Sequence, residues 1–561
     1  TISPVVDNNY NLITVPTERY TAQEGETLAA IAKKLKKNLD DLYAVNNIQA
    51  KDKFKPLYGG RIILIPKEQT VKKVSLLSAT DFHGSLAESG KNPGMAKLVG
   101  YMKDQERLNK NGTLILSAGD MFQGSADSNL MYGQPVAVTM NTAGFDAMVL
   151  GNHEFDWGLD KLKERMAQSN FPYLAANLVE KSTGKVPDFV KPYIIVNKNG
   201  VNVGIIGIVT PETATKTKPD LVAPYDFKNP AEVVNALAPE VRKAGADVVV
   251  VLSHLGAFQD SKTGVITGEA ADLAKAVTGV DAIIAGHTHL TVSGTVNNIP
   301  IVEAYYNGRS VGHIDIYFDT KAKKVVEAVP SVDGNVIKAT ADTAIAKYLN
   351  DLQTIIGPIK NEVIGKATAA FPHSPKDTQT TLLGNWASDV MRKVTNSDVA
   401  FQNGGGLRRD LPAGDITMGL MYEIMPFDNT LFTFELTGAQ VKAAVEHGIM
   451  STEMNPGQFS GLTVQYDSKK PAGQRIVKIT LSNGKPLVDT QLYKVVTNDF
   501  QASGGDNYTM FKEGKNPKDT SIPVRDVLVN EIKAKGTISP VDDGRLTDIN
   551  KTSMVFDRIA A

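Results

Sequence analysis

The sequence contains no cysteine among its 561 residues. This absence excludes disulfide bridges, thiolate metal ligands and a cysteine nucleophile, so any metal or catalytic chemistry must use oxygen and nitrogen groups. It does not separate an oxidising compartment from a reducing one, because proteins of both compartments exist without cysteine.

Strong charge of either sign is also lacking, since the formal net charge is -1. Sequence-independent binding of nucleic acid depends on a basic surface that neutralises phosphates, so a polymeric nucleic acid is not expected as a partner. A single nucleotide stays open as a ligand, because its recognition needs no such surface.

Long apolar runs are absent as well. No stretch approaches the roughly 20 apolar residues of a membrane-spanning helix, so no transmembrane segment is expected. Residues 1–15 lack a basic segment followed by an apolar one, which is the pattern of a signal peptide. We therefore expect a mature chain from which such a peptide has been removed.

The length exceeds what one core organises, so about three domains are expected. In the first, residues 18–67, two short helical patterns capped by Thr27 and Asn38 lie between two strand-like runs. This unit resembles a LysM module in the residues Tyr20-Thr21, Gly25-Glu26-Thr27-Leu28, Asn46, Ile48 and Ile63-Leu64-Ile65-Pro66. The resemblance implies a βααβ fold that binds peptidoglycan or another N-acetylglucosamine glycan.

In the second region, strand-like runs alternate with helical patterns, as in α/β proteins. Five of these runs end in residues that can ligate metals: Asp81-Phe82-His83, Gly119-Asp120, Gly151-Asn152-His153-Glu154, Ser253-His254 and Gly286-His287-Thr288-His289. Ligands gather beyond the carboxyl ends of such strands, so we expect these residues at one place. Their nitrogen and oxygen donors suffice for two divalent cations if one carboxylate is shared.

The five motifs resemble the signature of calcineurin-like metallophosphoesterases, and the domain is expected over residues 74–335. The resemblance implies a four-layer α/β/β/α fold with two divalent metal ions, zinc, manganese or similar. It implies that one ion is held by Asp81, His83, Asp120 and His289, and the other by Asp120, Asn152, His254 and His287.

The expected chemistry follows from the charge of the two ions. Two cations about 3.5–4 Å apart lower the pKa of a bound water, orient it for attack on phosphorus and offset the developing negative charge. A hydroxide on the metals is therefore the expected nucleophile. His153 is predicted to contact the phosphoryl group or to protonate the leaving oxygen, with Asp156 as its orienting partner. Glu154 is interpreted as a structural residue.

An amphipathic pattern from Thr340 to Ile359 predicts a helix, which we interpret as a linker over residues 336–360. A mixed α/β domain is expected over residues 361–550. It carries three clusters: Asn403-Gly404-Gly405-Gly406-Leu407-Arg408, Pro426-Phe427-Asp428-Asn429, and Asp499-Phe500 with Ser503-Gly504-Gly505-Asp506. The guanidinium of Arg408 could bind phosphate, and the two phenylalanine rings could stack on a base. The alternative interpretation is that the phenylalanines belong to the core and that the glycines form ordinary turns.

Placed behind the phosphoesterase motifs, these clusters resemble the secreted bacterial 5'-nucleotidase family over residues 74–547. The resemblance implies that Arg408 binds phosphate and that Phe427 and Phe500 sandwich the base. It also implies that Asn403 and Asn429 hydrogen-bond the nucleoside and that Asp506 accepts from ribose hydroxyls.

One departure from that family lies before Leu383-Gly384-Asn385. Some members carry additional arginines there, whereas this sequence has His373-Ser374-Pro375-Lys376-Asp377. Lys376 and Arg409 are the groups considered as replacements, although neither stands in a matching position. The preference between 5' and cyclic substrates is therefore left open.

The expected function is metal-dependent hydrolysis of extracellular nucleotides to nucleoside and phosphate by a secreted or cell-wall-associated protein. On the same scaffold, the alternatives are a 2',3'-cyclic-nucleotide phosphodiesterase with 3'-nucleotidase activity, a UDP-sugar hydrolase and a general phosphomonoesterase. A non-catalytic cell-wall-binding protein is the alternative of another class, and the complete ligand set opposes it. The remaining histidines, His313, His373 and His447, lie in no motif and are interpreted as structural.

Overall fold

The computed structural model describes residues 2–6, 12–67, 70–374, 379–451 and 455–551. Lys376, one of the two groups considered as replacements for the missing arginines, lies outside these residues. Within the described ranges, no helix combines the length and the apolar character that crossing a bilayer requires.

The N-terminal region is a three-stranded antiparallel sheet with two helices. Its elements are β1 (Ile2–Val6), β2 (Leu12–Thr21), α1 (Leu28–Leu35), α2 (Leu39–Asn46) and β3 (Ile62–Pro66), with a 3-10 turn at Ala50–Asp52. The Thr27 hydroxyl accepts from the Ala30 amide at 3.2 Å and begins α1, as the capping pattern predicts. Leu28, Ile31 and Ile63 are buried in a core of its own. The predicted βααβ order is present, and β1 adds a third strand.

The central region contains two six-stranded sheets. Its first elements are β4 (Val71–Ala79), α3 (Gly94–Leu108), β5 (Thr113–Ser117), α4 (Ala126–Asn129), α5 (Gln134–Ala143), β6 (Ala147–Val149), α6 (Gly158–Gln168), β7 (Tyr173–Leu174), β8 (Leu178–Glu180), β9 (Tyr193–Lys198) and β10 (Val201–Val209). They are followed by α7 (Thr213–Lys216), α8 (Pro219–Val222), β11 (Tyr225–Phe227), α9 (Pro230–Lys243), β12 (Val248–His254), β13 (Phe258–Gln259), β14 (Ile266–Thr267) and α10 (Glu269–Ala276). The last are β15 (Ala282–Ala285), β16 (Thr291–Val296), β17 (Ile299–Ala304), β18 (Val311–Asp319), β19 (Lys324–Asp333) and α11 (Thr343–Lys360), with 3-10 turns at Asn152–Phe155 and Val336–Lys338.

Four neighbouring strands are parallel in each of these sheets. One sheet has the order β19-β18-β4-β5-β6-β7, with β4 to β7 parallel. The other has the order β16-β17-β15-β12-β10-β9, with β10, β12, β15 and β17 parallel. Parallel neighbours require crossover connections, and the helices that make them cover the faces of the sheets.

Alternation along β12 shows how the layers pack. Val248 and Val250 belong to the core that also holds Leu76 of the facing sheet. Val249 and Val251 point the other way, into the core formed with α9 and α10. Because successive side chains of a strand face opposite sides, this sheet is covered on both faces. The predicted order of helices, sheet, sheet and helices is confirmed.

The predicted amphipathic helix is α11, whose first turn is capped by Asp342 through the Ile345 amide at 3.0 Å. Its apolar residues Ile345, Leu352 and Ile356 are buried in the core of the central region. The helix is thus anchored to the central region along most of its length.

The described residues of the C-terminal region form one five-stranded and two three-stranded sheets, with the orders β24-β21-β27-β23-β28, β22-β20-β29 and β26-β25-β30. Its first elements are β20 (Val363–Ala367), α12 (Leu382–Thr395), β21 (Val399–Gln402), β22 (Gly414–Thr417), α13 (Met418–Ile424), β23 (Thr430–Thr437), α14 (Gly438–Gly448), β24 (Gln458–Ser460) and β25 (Leu462–Tyr466). The others are β26 (Ile476–Leu481), β27 (Leu492–Asn498), α15 (Asp499–Ala502), β28 (Lys515–Pro523), α16 (Val524–Lys535), β29 (Thr537–Ile538) and β30 (Leu546–Asp548), with 3-10 turns at Gly404–Gly406, Gly505–Asn507 and Thr509–Glu513. The sheets pack around two cores of their own.

Candidate active site

The predicted metal ligands follow the carboxyl ends of parallel strands in both central sheets. Asp81 follows β4, Asp120 follows β5 and Asn152 follows β6, while His254 ends β12 and His287 follows β15. The backbone N–H of His287 donates to Asp81 Oδ2 at 3.0 Å, which joins the two sheets at this edge. The structure therefore gathers at one place the strand ends that the sequence predicts to meet.

Five of the seven predicted ligands have a left-handed backbone. Their φ angles lie between 49° and 79°, at Asp81, His83, Asp120, His287 and His289. This conformation costs a non-glycine residue of order 1 kcal/mol, and it clusters at functional sites where the surrounding fold enforces it. The strand ends hold these turns, which brings the side chains of neighbouring turns within ligand distance.

Asp81, His83 and His289 form a first donor group, whose ligand atoms lie within 4.8 Å of one another. Nε2 of His83 lies 3.0 Å from Nε2 of His289, and Asp81 Oδ1 lies 3.3 Å from that same nitrogen of His289. Nδ1 of His83 faces the Gln123 carbonyl at 3.0 Å, which leaves Nε2 as its ligand atom.

Asp120, His254 and His287 form a second donor group, again with ligand atoms within 4.8 Å of one another. His254 Nε2 lies 3.0 Å from Asp120 Oδ2, and His254 Nδ1 faces the Ala118 carbonyl at 2.6 Å. Nε2 of His287 lies 2.9 Å from Glu212 Oε2. Both histidines are thus oriented by an oxygen acceptor, as metal-ligating histidines usually are.

Among the described residues, the buried Oδ1 of Asn152 has no hydrogen-bond partner, while Asp81 Oδ1 and His254 Nε2 have only ion-pair contacts, with His289 at 3.3 Å and with Asp120 at 3.0 Å. Leaving such an atom unsatisfied costs about 1–3 kcal/mol, and coordination to a cation removes that cost. The donors are imidazole nitrogens and carboxylate or amide oxygens, which suit zinc, manganese and similar ions. The two donor groups fit the predicted pair of divalent cations.

Two glycines of the motifs leave room for the ligands. A Cβ atom on Gly151 would lie 2.1 Å from Asp120 Oδ1. A Cβ atom on Gly119 would lie 2.9 Å from His254 Nδ1, and the φ of Gly119 is +94°. The close approach explains why both Asp120 and Asn152 are preceded by glycine.

Glu154 ties the turns after β5 and β6 together. Its carboxylate accepts from the backbone N–H groups of Asp120 at 2.8 Å, Met121 at 2.9 Å and Gly151 at 2.6 Å. Burial raises the pKa of Glu154 to about 7, and the charge of Asp120 acts in the same direction. This geometry agrees with the structural role predicted for Glu154.

The two carboxylates among the predicted ligands are held in their ionised form. Burial alone would raise the pKa of Asp81 and Asp120, but the charges and hydrogen bonds of several nearby histidines, His254 foremost, together outweigh burial, and both pKa values lie below their usual range. Burial lowers the pKa of His83 and of His289. Burial would lower the pKa of His254 as well, but the two carboxylates raise it to about 10. Two ionised carboxylates therefore face these imidazoles at neutral pH.

His153 and Asp156 form a pair beside the donor groups. Nδ1 of His153 lies 2.8 Å from Asp156 Oδ2, and the Thr217 hydroxyl donates to Asp156 Oδ1 at 2.9 Å. Burial would lower the pKa of His153, but Asp156 and Asp120 outweigh burial and raise it. The bond at Nδ1 leaves Nε2 as the ring atom that can act on a substrate.

Phe427 and Arg408 reach the donor groups from the C-terminal region. The rings of His153 and Phe427 stack with their centres 5.3 Å apart. The guanidinium carbon of Arg408 lies 5.7 Å from the centre of the Phe427 ring. Burial lowers the pKa of Arg408, and the charges of Asp120 and Asp81 offset part of that effect. The structure thus brings two predicted substrate residues to the predicted metal ligands.

The two predicted asparagines are held by neighbours within the C-terminal region. Asn403 Oδ1 accepts from Asn498 Nδ2 at 2.8 Å. Asn429 Nδ2 donates to Asp499 Oδ1 at 2.9 Å. Both side chains have a defined orientation, and their contacts with a nucleoside stay a prediction.

The Phe500 ring packs against Gly505, which directly precedes Asp506 in the chain. A Cβ atom on Gly505 would lie 2.5 Å from the Phe500 ring, which is 9% exposed. Asp506 Oδ1 lies 3.2 Å from Lys216 Nζ of the central region. The carbonyl of Asp506 faces His447 Nε2 at 2.7 Å, so this histidine supports the predicted ribose site.

The other residues singled out in the sequence also have defined partners. The Arg409 guanidinium forms an ion pair with Glu423. His373 Nε2 faces the Gly404 carbonyl at 2.8 Å, which anchors the predicted phosphate loop. His313 Nε2 lies 2.8 Å from the Tyr101 hydroxyl. Whether Arg409 or Lys376 takes the place of the missing arginines is not tested by these contacts.

The segment 212–218, which includes α7, also belongs to the site, although no motif in the sequence indicates it. Glu212 faces His287, and the Lys216 carbonyl accepts from Asn152 Nδ2 at 3.4 Å. Thr217 holds Asp156. These contacts join positions about 60 or more residues apart in the chain, and the segment has no pattern of its own that indicates them.

The two-sheet fold, with nitrogen and oxygen donors gathered at the strand ends, defines the binuclear metallophosphoesterases. Three families match the chain: LysM domain at residues 20–66, calcineurin-like phosphoesterase at residues 75–290, and 5'-nucleotidase, C-terminal domain, at residues 363–513. The chain therefore combines a LysM domain, a calcineurin-like phosphoesterase domain and the C-terminal domain of 5'-nucleotidases.

Two curated proteins of Bacillus subtilis (strain 168) are similar to this chain. Endonuclease YhcR is 33% identical over 473 residues, with 79% of this chain and 38% of that protein covered. Trifunctional nucleotide phosphoesterase protein YfkN is 28% identical over 612 residues, with 98% of this chain and 40% of that protein covered. The chain thus spans about two fifths of the length of these relatives.

A solved structure is also similar over most of the chain. The 5'-nucleotidase precursor from Thermus thermophilus is 28% identical, with a TM-score of 0.75. The match covers 86% of this chain and 100% of the Thermus thermophilus chain.

Proposed function

We propose that this protein hydrolyses nucleotides to nucleosides and phosphate with the help of two divalent cations. The observation that carries the proposal is the stack of Phe427 on His153, with ring centres 5.3 Å apart. It places an aromatic ring and Arg408 of the nucleotidase domain beside the donor groups of the phosphoesterase domain. A general phosphomonoesterase has no need of such a ring.

The donor groups would divide the two cations between them. One would be held by Asp81, His83 and His289, the other by Asn152, His254 and His287, with Asp120 shared. When bound, such a pair supplies Lewis acidity toward water and toward the phosphoryl oxygens. The unpartnered side-chain oxygen of Asn152 supports this assignment.

His153 acts on the leaving group. Asp156 fixes the ring through Nδ1, so Nε2 donates its proton to the oxygen that leaves phosphorus. Arg408 binds the phosphate, because its planar guanidinium can donate two parallel hydrogen bonds to phosphoryl oxygens.

The nucleoside lies on the C-terminal region. Phe427 and Phe500 clasp the base by stacking, Asn403 and Asn429 hydrogen-bond the nucleoside, and Asp506 accepts from the ribose hydroxyls. Stacking on an aromatic ring contributes about 1–3 kcal/mol per base and tolerates every base, so we expect a broad base preference.

The LysM domain attaches the protein to peptidoglycan or to another glycan that contains N-acetylglucosamine. A glycan-binding module of this kind is useful where peptidoglycan is exposed. The protein therefore acts outside the cytoplasmic membrane, in association with the cell wall, on nucleotides that reach that compartment.

The test is a substrate panel combined with metal analysis. The protein is supplied with manganese or zinc and assayed with AMP, 2',3'-cyclic AMP, a UDP-sugar and a simple sugar phosphate. We expect AMP to be the preferred substrate. Preference for the cyclic nucleotide would support the phosphodiesterase alternative.

Asp120→Ala is the variant for the same panel, with Asp272→Ala on the surface of α10 as its control. Loss of a bridging ligand should lower both the bound metal and kcat, the latter by about 100-fold or more. Full activity of Asp120→Ala would contradict the two-metal assignment. Glycan binding without any hydrolysis would favour the non-catalytic alternative.

A further inference from the structure

Lys216 contacts both sides of the proposed active site. Its backbone carbonyl accepts from Nδ2 of Asn152, the amide whose oxygen is a predicted metal ligand, at 3.4 Å. Its ammonium nitrogen lies 3.2 Å from Asp506 Oδ1, on the C-terminal region. The charged end of Lys216 therefore lies at the predicted ribose position, while its backbone is held by the phosphoesterase domain.

Asp506 is fixed in place before any substrate binds. Its backbone is left-handed, with φ of 51°, and its carbonyl faces His447 Nε2 at 2.7 Å. The side chains of Lys216 and Asp506 are 20% and 8% exposed, so water screens their interaction only weakly. The charge of Asp506 also acts on the Arg408 guanidinium. A cation and a carboxylate are thus held together at the edge of the phosphate site.

We propose that Lys216 determines the sugar specificity of this protein: its ammonium group and the Asp506 carboxylate together recognise the vicinal hydroxyls of ribose. The inference rests on the proposed function, in which Asp506 accepts from those hydroxyls. A hydroxyl both donates and accepts hydrogen bonds, whereas an ammonium only donates and a carboxylate only accepts. The pair therefore offers one partner of each kind to a diol.

A sugar that lacks one hydroxyl cannot satisfy both groups. The charged group that faces the missing hydroxyl loses a hydrogen bond in a site with little water, and such sites reject the analogue strongly. Lys216 should for this reason favour ribonucleotides over deoxyribonucleotides.

A purely structural role for Lys216 would give a different result. If its ion pair only held the two regions together, a substitution would change the turnover of every nucleotide alike. Lys218 provides the comparison, because its ammonium nitrogen lies 2.8 Å from Asp499 Oδ2 in a second ion pair between the same regions.

The experiment compares kcat/KM for AMP, 2'-deoxy-AMP and 3'-deoxy-AMP in four proteins: wild type, Lys216→Met, Lys216→Arg and Lys218→Met. The preference of wild type for AMP over at least one deoxynucleotide should fall by about tenfold in Lys216→Met, the loss of one hydrogen bond to a charged group. Lys216→Arg should restore most of this preference. Lys218→Met should leave it within about twofold.

Two further measurements extend the test to variants with slow turnover. One is the metal content of each protein. The other is the ratio of its affinities for adenosine and 2'-deoxyadenosine, measured by equilibrium dialysis. The affinity ratio should shift as the kinetic ratio does, with bound metal unchanged. If the ribose-to-deoxyribose ratio is unchanged in Lys216→Met, or changes equally in Lys218→Met, the inference about Lys216 is wrong. The proposed function is not affected by that result. Failure of wild type to hydrolyse any nucleotide would contradict the proposed function first, and this inference with it.

Discussion

His153 is oriented by a carboxylate that is itself held by a hydroxyl. The Asp156 carboxylate accepts a hydrogen bond from the Thr217 hydroxyl at 2.9 Å, and its other oxygen lies 2.8 Å from His153 Nδ1. Thr217 is 1% exposed, so solvent does not compete for its hydrogen bond. Because none of the three is a predicted metal ligand, the chain of bonds can be broken while the donor groups stay complete.

Asp156→Asn is expected to lower kcat by about 10- to 100-fold, because a neutral amide replaces the carboxylate and its NH2 group can face His153 Nδ1, which disturbs the tautomer of the ring. Thr217→Val should act in the same direction but more weakly. Steady-state kinetics with AMP, together with analysis of bound metal, measures both effects.

Asp160→Asn is the control for this pair, since Asp160 is exposed on α6, four residues further along the chain. It should leave kcat unchanged. Loss of metal from Asp156→Asn would show that Asp156 supports the donor groups rather than His153, and the role proposed for it would be wrong.

At the scale of elements, α11 shows how an amphipathic helix is divided between core and solvent. Leu352 is 4% exposed and packs in the core of the central region, whereas Ile355, almost one turn further on, is 66% exposed. The two residues are of equal size and lie in the same helix. They differ chiefly in their surroundings, which makes them a matched pair.

Leu352→Ala is expected to lower the free energy of unfolding of the central region by about 2–4 kcal/mol, since it removes buried methyl groups and leaves a cavity. Ile355→Ala should change that free energy by less than about 0.5 kcal/mol. Urea unfolding followed by intrinsic fluorescence compares the two. Equal effects would mean that α11 does not pack on the central core in solution.

At the scale of the whole molecule, the N-terminal region has a core separate from the others. Its buried residues, including Leu28, Ile31 and Ile63, contact one another and form their own cluster. The donor groups and the nucleoside residues all lie beyond residue 80. Binding to a glycan and hydrolysis of a nucleotide are therefore expected to be separable.

A chain that begins at Thr70 should keep kcat/KM for AMP within about twofold of the longer chain, because no proposed catalytic group is removed. It should no longer sediment with insoluble peptidoglycan. The longer chain, incubated with and without peptidoglycan, is the control. Sedimentation of the shortened chain would place glycan binding elsewhere, and a large loss of turnover would show that the domains act together.

Sequence alone predicts those features that local patterns encode. Each predicted metal ligand ends a strand or follows one within a few residues, so five short motifs indicate the whole set. The caps and the apolar stripe predict α1 and α11 for the same reason. Through the family resemblance that they carry, the motifs and their order also predict the four-layer fold and the nucleotidase domain, which the structure and the comparisons confirm.

Tertiary structure decides what depends on positions far apart in the chain. The donor groups pair His83 with His289 and Asp120 with His254, and the left-handed turns that allow this are enforced by two packed sheets. Phe427 meets His153 only because the C-terminal region folds back over the strand ends.

Some features of the candidate active site are therefore determined by the sequence, and others only by the tertiary structure. The identity of the predicted metal ligands is a property of the sequence, because a ligand motif needs only a strand and the turn that follows it. Their partners are a property of the fold: Glu212, Lys216 and Thr217 lie in a segment without a motif, and packing alone brings it between the metal ligands and Asp506. Hydrogen bonds between distant residues leave no periodic trace in a sequence, so only the tertiary structure decides them.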